Sequence, residues 1–293
     1  LVPAERYHCA EFAKLEAERM WPRVWQFACT VDHVAEPGDY FEYRCGPYSV
    51  LVVRGDDGLL RAFQNVCRHR GHLVAEGKGK KSVLQCPYHA WTYNLDGSLR
   101  GAPAMDQNAG FCKSDYRLPD IRCEEWLGWV FVTLNPDVPP VARQLSKVED
   151  LVNDYNMANY SETFFETHIW NTNWKVLAEN FMESYHLPVC HAGTIGGLSK
   201  LNEMICPPGE DAFNYHTILK DETLKIAMAH PSNKRMEGER RRTTFLLAIY
   251  PSLLITLTPG YFWYLSLHPQ GVGQVRIGFG GGMSGGGGAS GGW

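Results

Sequence analysis

The sequence has little of what marks a membrane or secreted protein. None of its apolar runs reaches the roughly 18 residues that a membrane helix needs, and its N-terminus lacks the charged-then-apolar pattern of a signal peptide. Its nine cysteines are odd in number and, Cys67 and Cys86 aside, have no disulfide-framework spacing, which favours free thiols in a reducing compartment. These absences predict a cytoplasmic protein without a membrane partner.

An excess of charge of one sign is also missing. The formal net charge is -4 and the pI is near 6.3, and Lys78 to Lys81 is too short a run to form a basic patch. We therefore expect no nucleic-acid partner. Apolar residues, in contrast, make up 44% of the 293 residues, which supports one large globular domain or two, and no internal repeat is present.

The residue pattern that predicts secondary structure changes twice along the chain. Residues 1–37 include the helical periodicity of Ala10 to Phe27 and predict a helical segment that packs on the C-terminal domain. Residues 38–140 hold short strands between glycine turns and predict an antiparallel β domain. Residues 141–293 alternate helices and strands and predict a second domain.

Several individual elements can be predicted within these segments. We expect strands at Ser49 to Val53 and Trp129 to Thr133 in the β domain. In the second domain, we expect a helix over Leu145 to Met157 and strands over Arg242 to Tyr250, Leu253 to Thr258 and Tyr261 to His268.

Two short motifs in the β domain have metal-ligand chemistry. Cys67-Arg68-His69 and Cys86-Pro87-Tyr88-His89 each offer one thiol and one imidazole, with sixteen residues between them. A Rieske [2Fe-2S] cluster needs two cysteines on one iron and two histidines on the other. A structural zinc site is the alternative, but zinc modules usually pair cysteine with cysteine and histidine with histidine along the chain. The order found here favours a Rieske cluster.

The flanking residues extend this pattern. Cys-x-His-Arg-Gly at 67–71, followed by Cys-Pro-Tyr-His-Ala-Trp-x-Tyr-x-x-x-Gly at 86–97, resembles the Rieske non-heme iron oxygenases. The resemblance implies an α+β fold, with an all-β Rieske [2Fe-2S] domain at 38–140 and a helix-grip (START-like) catalytic domain with an antiparallel sheet at 141–293. It also implies that four residues hold the cluster: Cys67, His69, Cys86 and His89.

A second constellation lies in the segment Asn173 to His191. Trp174, Leu177, Phe181 and Tyr185 recur at helical spacing, which predicts an amphipathic helix that buries these four side chains and ends at Pro188. Glu183 and His186 are one helical turn apart, and His191 follows the helix end, so the three side chains can converge. Two histidines and a carboxylate are typical of a site that binds Fe(II) for oxygen activation, although Glu183 need not be the carboxylate ligand.

Asn-Trp-Lys, Glu-Asn-Phe and Glu-x-x-His-x4-His in this segment resemble the mononuclear iron motif of Rieske oxygenase α subunits. By that resemblance His186 and His191 bind the iron, and Glu183 bridges one of them to a cluster histidine of the neighbouring subunit in a homotrimer. The family's third ligand, an aspartate, would fall beyond Trp293. Asn180 is a further candidate for orienting ligands or oxygen, with a plain surface role as the alternative.

Two features bear on the substrate. Most ring-hydroxylating members carry aspartate where this chain has Glu183, whereas members of the glycine betaine, stachydrine and carnitine type tend to carry glutamate. Aromatic rings could also hold an alkylammonium group by cation-π attraction, or line a pocket for an arene, or simply pack in the core. The rings considered are Phe213, Tyr215, Tyr250, Tyr261, Phe262, Trp263 and Tyr264.

The resemblance implies a mono- or dioxygenase that uses O2, with electrons from NAD(P)H delivered by a separate flavin/iron-sulfur reductase. The leading reading is hydroxylation or N-demethylation of a quaternary ammonium or betaine-like small molecule, with formaldehyde as the second product of demethylation. Aromatic ring hydroxylation or aryl O-demethylation is the alternative. A pure electron carrier is disfavoured because the chain has a second domain with its own iron motif.

The end of the chain has an unusual composition. Residues 278–293 are rich in glycine and serine, which is typical of a flexible linker but fits the family poorly. Our hypothesis is that the sequence is truncated, or that glycine stands for unidentified residues. The start at Leu1 suggests a missing N-terminal portion. An intact mass near 33.1 kDa would contradict the hypothesis.

Overall fold

The computed structural model describes residues 2–193, 196, 201–223 and 226–284, apart from the side chain of Cys45. The chain divides into two compact units: an N-terminal unit, Arg19–Val138, and a C-terminal unit that combines Leu1–Glu18 with Pro139–Trp293. The segment 1–37 is thus divided between the two units. Residues 19–37 belong to the N-terminal unit because their strand Gln26–Thr30 pairs with Trp129–Thr133.

The N-terminal unit is built of antiparallel strands. A seven-stranded sheet has the order β1-β10-β9-β4-β3-β2-β5, and a three-stranded sheet has the order β6-β7-β8. The strands predicted at 49–53 and 129–133 are confirmed as β3 and β10. The ten strands are β1 (Gln26–Thr30), β2 (Asp39–Cys45), β3 (Tyr48–Arg54), β4 (Leu60–Gln64), β5 (Lys78–Lys80), β6 (Leu84–Gln85), β7 (Thr92–Tyr93), β8 (Leu99–Gly101), β9 (Asp120–Trp126) and β10 (Trp129–Thr133).

The turn between β7 and β8 depends on a glycine. Gly97 has a φ of +83°, and a Cβ there would lie 2.5 Å from the ring of Phe63. Asp96 accepts hydrogen bonds from the main-chain N–H and the hydroxyl of Ser98. This tight turn lets the three-stranded sheet close over the hydrophobic cluster to which Phe63 belongs.

The C-terminal unit contains one antiparallel sheet of seven strands in the order β11-β17-β16-β15-β14-β13-β12. The strands predicted around 242–250, 253–258 and 261–268 are confirmed as β14, β15 and β16, and the predicted α+β class is confirmed. The seven strands are β11 (Tyr160–Trp170), β12 (Met204–Ile205), β13 (Phe213–Leu219), β14 (Thr243–Ile249), β15 (Leu253–Leu257), β16 (Tyr261–Pro269) and β17 (Val275–Ser284).

The glycine-rich stretch begins inside this sheet. Residues 278–284 form the second half of β17 and pair with both β16 and β11. A Cβ on Gly281 would lie 2.6 Å from the ring of Phe164, and one on Gly282 would collide with the carbonyl of Ser161. Residues 278–284 are therefore strand and not a flexible linker, with Gly281 and Gly282 at close strand contacts. Residues 285–293 lie outside the described residues, and the hypothesis of a truncated or substituted sequence stays a prediction.

The helices are short. The prediction of one helix over 10–27 is wrong: α2 ends at Leu15, a π turn and a 3-10 turn follow, and Gln26 starts β1. Pro22 lies in the 3-10 turn, and its missing N–H disfavours continuation of a helix. The helix predicted at 145–157 is confirmed as α4 and the 3-10 turns after it. The helices are α1 (Glu5–His8), α2 (Ala10–Leu15), α3 (Val141–Gln144), α4 (Ser146–Val152), α5 (Trp174–Phe181) and α6 (Leu187–Cys190).

A membrane-spanning element was not expected from the sequence. Among the helices that the structure describes, none combines the length and the apolarity needed to cross a bilayer.

Candidate metal centres

The two Cys/His motifs of the N-terminal unit form loops of the same shape. In the first, the N–H of Cys67 donates to the carbonyl of His72, and the N–H of Gly71 donates back to Cys67. In the second, the N–H of Cys86 donates to Trp91, and the N–H of Ala90 donates back to Cys86. The fourth residue after each cysteine has a positive φ, +73° at Gly71 and +56° at Ala90. The two cysteines therefore occupy equivalent positions in the two loops, and the histidines follow them by two and three residues.

The cysteines lie inside the unit. Cys67 and Cys86 are 2% and 1% exposed and belong to one hydrophobic cluster with Trp91 and Tyr93. The hydroxyl of Tyr93 lies 3.3 Å from Cys67 Sγ and accepts a hydrogen bond from the N–H of Arg68. Burial is the main cause that raises the pKa of the Cys86 thiol, and the neighbouring Cys67 acts in the same direction. A buried thiol with a raised pKa, such as that of Cys86, loses its proton readily only beside a cation.

The histidines lie toward the surface. The Nδ1 atoms of His69 and His89 are 3.2 Å apart, and the His69 ring stacks on Trp91 at 4.9 Å. Partial burial, then the neighbouring His89 and Arg70, lower the pKa of His69, which keeps this imidazole neutral and able to ligate a metal. The side chain of Asn65 holds the loop after His69, because it bonds the main chain of Val74 and Ala75.

These donors fit a two-iron cluster. The structure brings the four predicted residues together as a buried thiol pair and an imidazole pair with facing Nδ1 atoms. Within the described ranges no three His, Cys, Asp or Glu side chains could share a single metal ion. A [2Fe-2S] cluster of the Rieske type asks for only two protein donors on each iron, so this arrangement suits it better than a four-coordinate zinc ion.

The helix of the second motif is shorter than predicted. Asn173 caps α5, its side chain accepting from the N–H of Lys175, and Trp174 and Leu177 are buried as expected. The helix ends at Phe181, however, so the prediction that Tyr185 is buried and that Pro188 ends the helix is wrong. Tyr185 is 79% exposed, and Pro188 lies in the first turn of a separate helix, α6, where proline is favoured.

Ser184 anchors the turn that follows the helix. Its buried hydroxyl lies 2.5 Å from Nε2 of His216 on β13. Burial lowers the pKa of His216 to about 4, so this imidazole is neutral at pH 7. His216 was not predicted from the sequence, where the only sign of it is a single histidine within the strand Phe213–Leu219.

Glu183, His186 and His191 do converge at this turn. Glu183 accepts from the main-chain N–H of His186, and its Oε2 lies 2.6 Å from Nδ1 of the same histidine. The rings of His186 and His191 are 5.4 Å apart. Partial burial acts to raise the pKa of Glu183, but the hydrogen bonds from His186 and Tyr185 outweigh it and lower that pKa. An ionised Glu183 orients His186 and leaves Nε2 available for a metal, as in carboxylate–histidine–metal sites.

This turn borders a cavity of about 370 Å³. Of the seven predicted rings, only Tyr261 and Trp263 line it, because strand alternation turns Phe262 and Tyr264 to the other face of β16. Phe181 packs edge-on against Trp263 at 5.6 Å, and we call Phe181, Tyr261 and Trp263 the aromatic wall. Asn180 also lines the cavity. Trp170 and the buried Lys220 line it too and were missed.

The chain matches two protein families, one in each unit. Residues 24–122 match the family described as the Rieske [2Fe-2S] domain, and residues 157–279 match the ring hydroxylating alpha subunit (catalytic domain). The chain is similar in fold to the quaternary ammonium Rieske monooxygenase CntA in complex with L-carnitine (TM-score 0.82, 24% identity, 95% of this chain and 74% of that one). It is similarly close in fold to naphthalene 1,2-dioxygenase from Rhodococcus sp. (TM-score 0.84, 24% identity, 95% and 72%).

Two curated relatives are closer in sequence. The carnitine monooxygenase oxygenase subunit of Escherichia coli K12 is 30% identical over 88% of this chain and 67% of its own length. The glycine betaine monooxygenase oxygenase subunit of Pseudomonas aeruginosa UCBPP-PA14 is 31% identical over 79% of this chain and 54% of its own length. The chain thus spans between about half and two thirds of these relatives. With both domain families matched in order, the chain belongs to the Rieske non-heme iron oxygenases, as an α (catalytic) subunit.

Proposed function

We propose that the chain is the oxygenase component of a system that hydroxylates or N-demethylates a quaternary ammonium or betaine-like small molecule. The observation that carries this proposal is the meeting of Glu183, His186 and His191 beside a cavity with an aromatic wall. The relatives named for carnitine and glycine betaine support the substrate class. Aromatic faces attract an alkylammonium group by up to about 2 kcal/mol each when it is desolvated.

In this proposal Cys67, Cys86, His69 and His89 hold the Rieske cluster, and His186 and His191 hold Fe(II). When bound, these groups supply one-electron transfer and oxygen activation. The protein's own contribution is positioning: Glu183 fixes the ring of His186, and the aromatic wall turns an N-methyl group toward the histidines. Asn180 lines the same cavity, and in this proposal it orients the iron ligands or oxygen. The carboxylate ligand of the iron stays a prediction, as does the cytoplasmic location.

We further propose a homotrimer served by an NAD(P)H-dependent flavin/iron-sulfur reductase. Beside Glu183, Tyr185 and Val189 are 79% and 82% exposed, and large exposed apolar side chains support a protein interface at this turn. There Glu183 would accept a hydrogen bond from a cluster histidine of the next subunit. Glu183→Gln should then lower the rate of electron transfer into the catalytic site by about 10- to 100-fold, with both metals retained. A monomeric protein at assay concentration, or an unchanged transfer rate in this variant, would contradict the bridge.

The alternative is an oxygenase that hydroxylates an aromatic ring or O-demethylates an aryl ether. The aromatic and apolar lining of the cavity suits an arene as well as an alkylammonium group. The experiment that separates the two is a single turnover with full-length, iron-loaded, pre-reduced protein and O2, offered betaines, carnitine, choline and simple arenes. We expect formaldehyde and a demethylated amine from an N-methylated cation. Oxidation of arenes alone would replace the proposal with the alternative.

A further inference from the structure

Lys220 is a buried cation in the wall of the cavity. It follows β13 directly, its side chain lines the cavity, and the residue is only 3% exposed. Its main-chain N–H donates to the carbonyl of Arg242, which continues the ladder between β13 and β14 and fixes the position of the side chain. A lysine so placed is unusual because removal of an ammonium group from water is costly.

The charge of Lys220 has no acidic partner within the described residues. Its Nζ donates to the main-chain carbonyl of Ala227, which satisfies one of three N–H groups. Other half-buried cations of the same unit are paired: Lys175 with Glu16 at 2.9 Å, and Arg240 with Asp154. Burial lowers the pKa of Lys220 to about 8, which leaves it mostly protonated at pH 7. An anion in the cavity would supply the missing partner.

A second polar group of the cavity also lacks a partner. Thr256 on β15 is 8% exposed, and within the described residues its buried Oγ1 makes no hydrogen bond. Thr258, two residues later on the same face, is satisfied, since its hydroxyl donates to the carbonyl of Tyr261. A buried hydroxyl that lines a cavity and finds no protein acceptor is available to donate to a ligand oxygen.

The sheet register places Lys220 across the cavity from the aromatic wall and Thr256 beside that wall. Ile218 pairs with Thr244, Leu246 with Thr256, and Thr256 with Trp263, so β13, β14, β15 and β16 form one continuous floor. Three strand spacings separate β13 from β16, a distance of roughly 14 Å. Lys220 extends from one side of this floor and Trp263 from the other, with Thr256 next to Trp263.

We propose that Lys220 forms a carboxylate-binding subsite of the catalytic cavity, so that the substrate is a small molecule with a carboxylate at the end opposite the aromatic wall. The ammonium group of Lys220 pairs with the carboxylate, whereas the Thr256 hydroxyl, beside Trp263, is available to a different part of the substrate. This deepens the proposed function and rests on it for the cationic end of the substrate. A cation without a carboxylate, such as choline, would meet Lys220 as a like charge.

The test is titration calorimetry on the metal-loaded, full-length protein with three probes: glycine betaine, choline and benzoate. Lys220→Met should weaken glycine betaine and benzoate about 10- to 100-fold, the range for a lost hydrogen bond to a charged group, and leave choline unchanged or tighter. Thr256→Val, nearly isosteric and beside Trp263, should leave the preference for carboxylates over choline unchanged. Lys234→Met is the matched control, since Lys234 also donates to a main-chain carbonyl but is exposed.

The outcomes separate the subsite from the reaction. Lys220-dependent binding of benzoate without binding of glycine betaine would keep the subsite and contradict the quaternary ammonium substrate. Equal binding of glycine betaine and choline to the unaltered protein would overturn the subsite and leave the substrate class standing. A Lys220→Met protein that is folded by circular dichroism and keeps the original preference for glycine betaine over choline would also overturn it. Loss of binding in Lys234→Met as well would do the same.

Discussion

The two candidate metal centres are built on different principles. In the N-terminal unit, two loops of matching shape carry the candidate ligands, each closed by the same pair of main-chain hydrogen bonds, and the thiols are almost wholly buried. In the C-terminal unit, the candidates lie on an irregular turn between α5 and a four-residue helix, and their neighbours Tyr185 and Val189 are mostly exposed.

The contrast follows from the two tasks. An electron-transfer centre works best when its surroundings do not rearrange, and a closed loop with buried donors restricts such motion. A centre that admits oxygen and a substrate must leave positions open and must border a cavity. The turn at 182–191 meets this need because Ser184 fixes it to His216 from within, whereas its outer side carries few contacts.

Removal of a thiol should have the largest effect. Cys86→Ser replaces a buried sulfur donor inside the hydrophobic cluster, and we expect loss of the [2Fe-2S] absorption and of about two irons per chain. Iron content and visible circular dichroism measure this. Cys112→Ser, at an exposed free thiol of the same unit, is the control and should keep both signals. An intact cluster spectrum in Cys86→Ser would show that Cys86 is not a ligand.

Removal of an imidazole from the C-terminal centre, which we call the open centre, should affect that centre alone. His186→Ala is expected to release one iron per chain and abolish turnover, with the cluster spectrum unchanged, because the altered side chain belongs to the other unit. The control is His168→Ala, an exposed histidine that pairs with Glu166 on β11. If the variant lost cluster iron too, the two centres would not be independent.

The same contrast explains what could be predicted from the sequence. The candidate ligands of the N-terminal centre, which we call the closed centre, could be named because all four lie in two short motifs, Cys-x-His and Cys-x-x-His, that resemble those of a known family and need no long-range contact to be recognised. The strands β3, β10 and β14 to β16 could be predicted because their apolar runs are buried on both faces. The turn after α5 could not, because it is held by a long-range contact between Ser184 and His216, thirty-two residues apart.

Tertiary contacts account for the other errors as well. Glycine at 278–282 is typical of a linker by composition, yet here it lets β17 approach Phe164 and Tyr264. Lys220 was overlooked because a lysine after an apolar strand usually marks the return to solvent. Only the register of β13 against β14 shows that it lines the cavity with Ile218 on the same face.

The anchor of the open centre should be sensitive to acid. His216 has a folded-state pKa of about 4 against a usual 6.5, so between these values the unfolded chain binds the proton and the folded chain does not. Stability is therefore lost as pH falls through this window, by about 2 kcal/mol between pH 7 and 5. His216→Gln should remove that part of the pH dependence. Urea unfolding at pH 7 and pH 5 measures this change in the free energy of unfolding. The control His168→Gln should behave as the unaltered protein. An unchanged pH dependence of stability in His216→Gln would show that His216 is not the group responsible.

The smallest expected effect is at Tyr93, whose hydroxyl faces the sulfur of Cys67 in the closed centre. Tyr93 lies 3.3 Å from Cys67 Sγ, and its only other partner among the described hydrogen bonds is the N–H of Arg68, which donates to it and leaves the phenol proton for the sulfur. A hydrogen bond to a thiolate ligand stabilises the reduced cluster more than the oxidised one, because the reduced cluster is richer in electrons. Loss of this bond in Tyr93→Phe should therefore lower the reduction potential. A bond worth about 1 kcal/mol corresponds to roughly 40 mV for one electron.

Redox titration followed by the cluster spectrum measures the shift in potential of Tyr93→Phe. Tyr88→Phe, at an exposed ring in the loop that begins at Cys86, is the matched control. A rise in potential, or an equal fall in both variants, would mean that Tyr93 acts through packing and not through its proton.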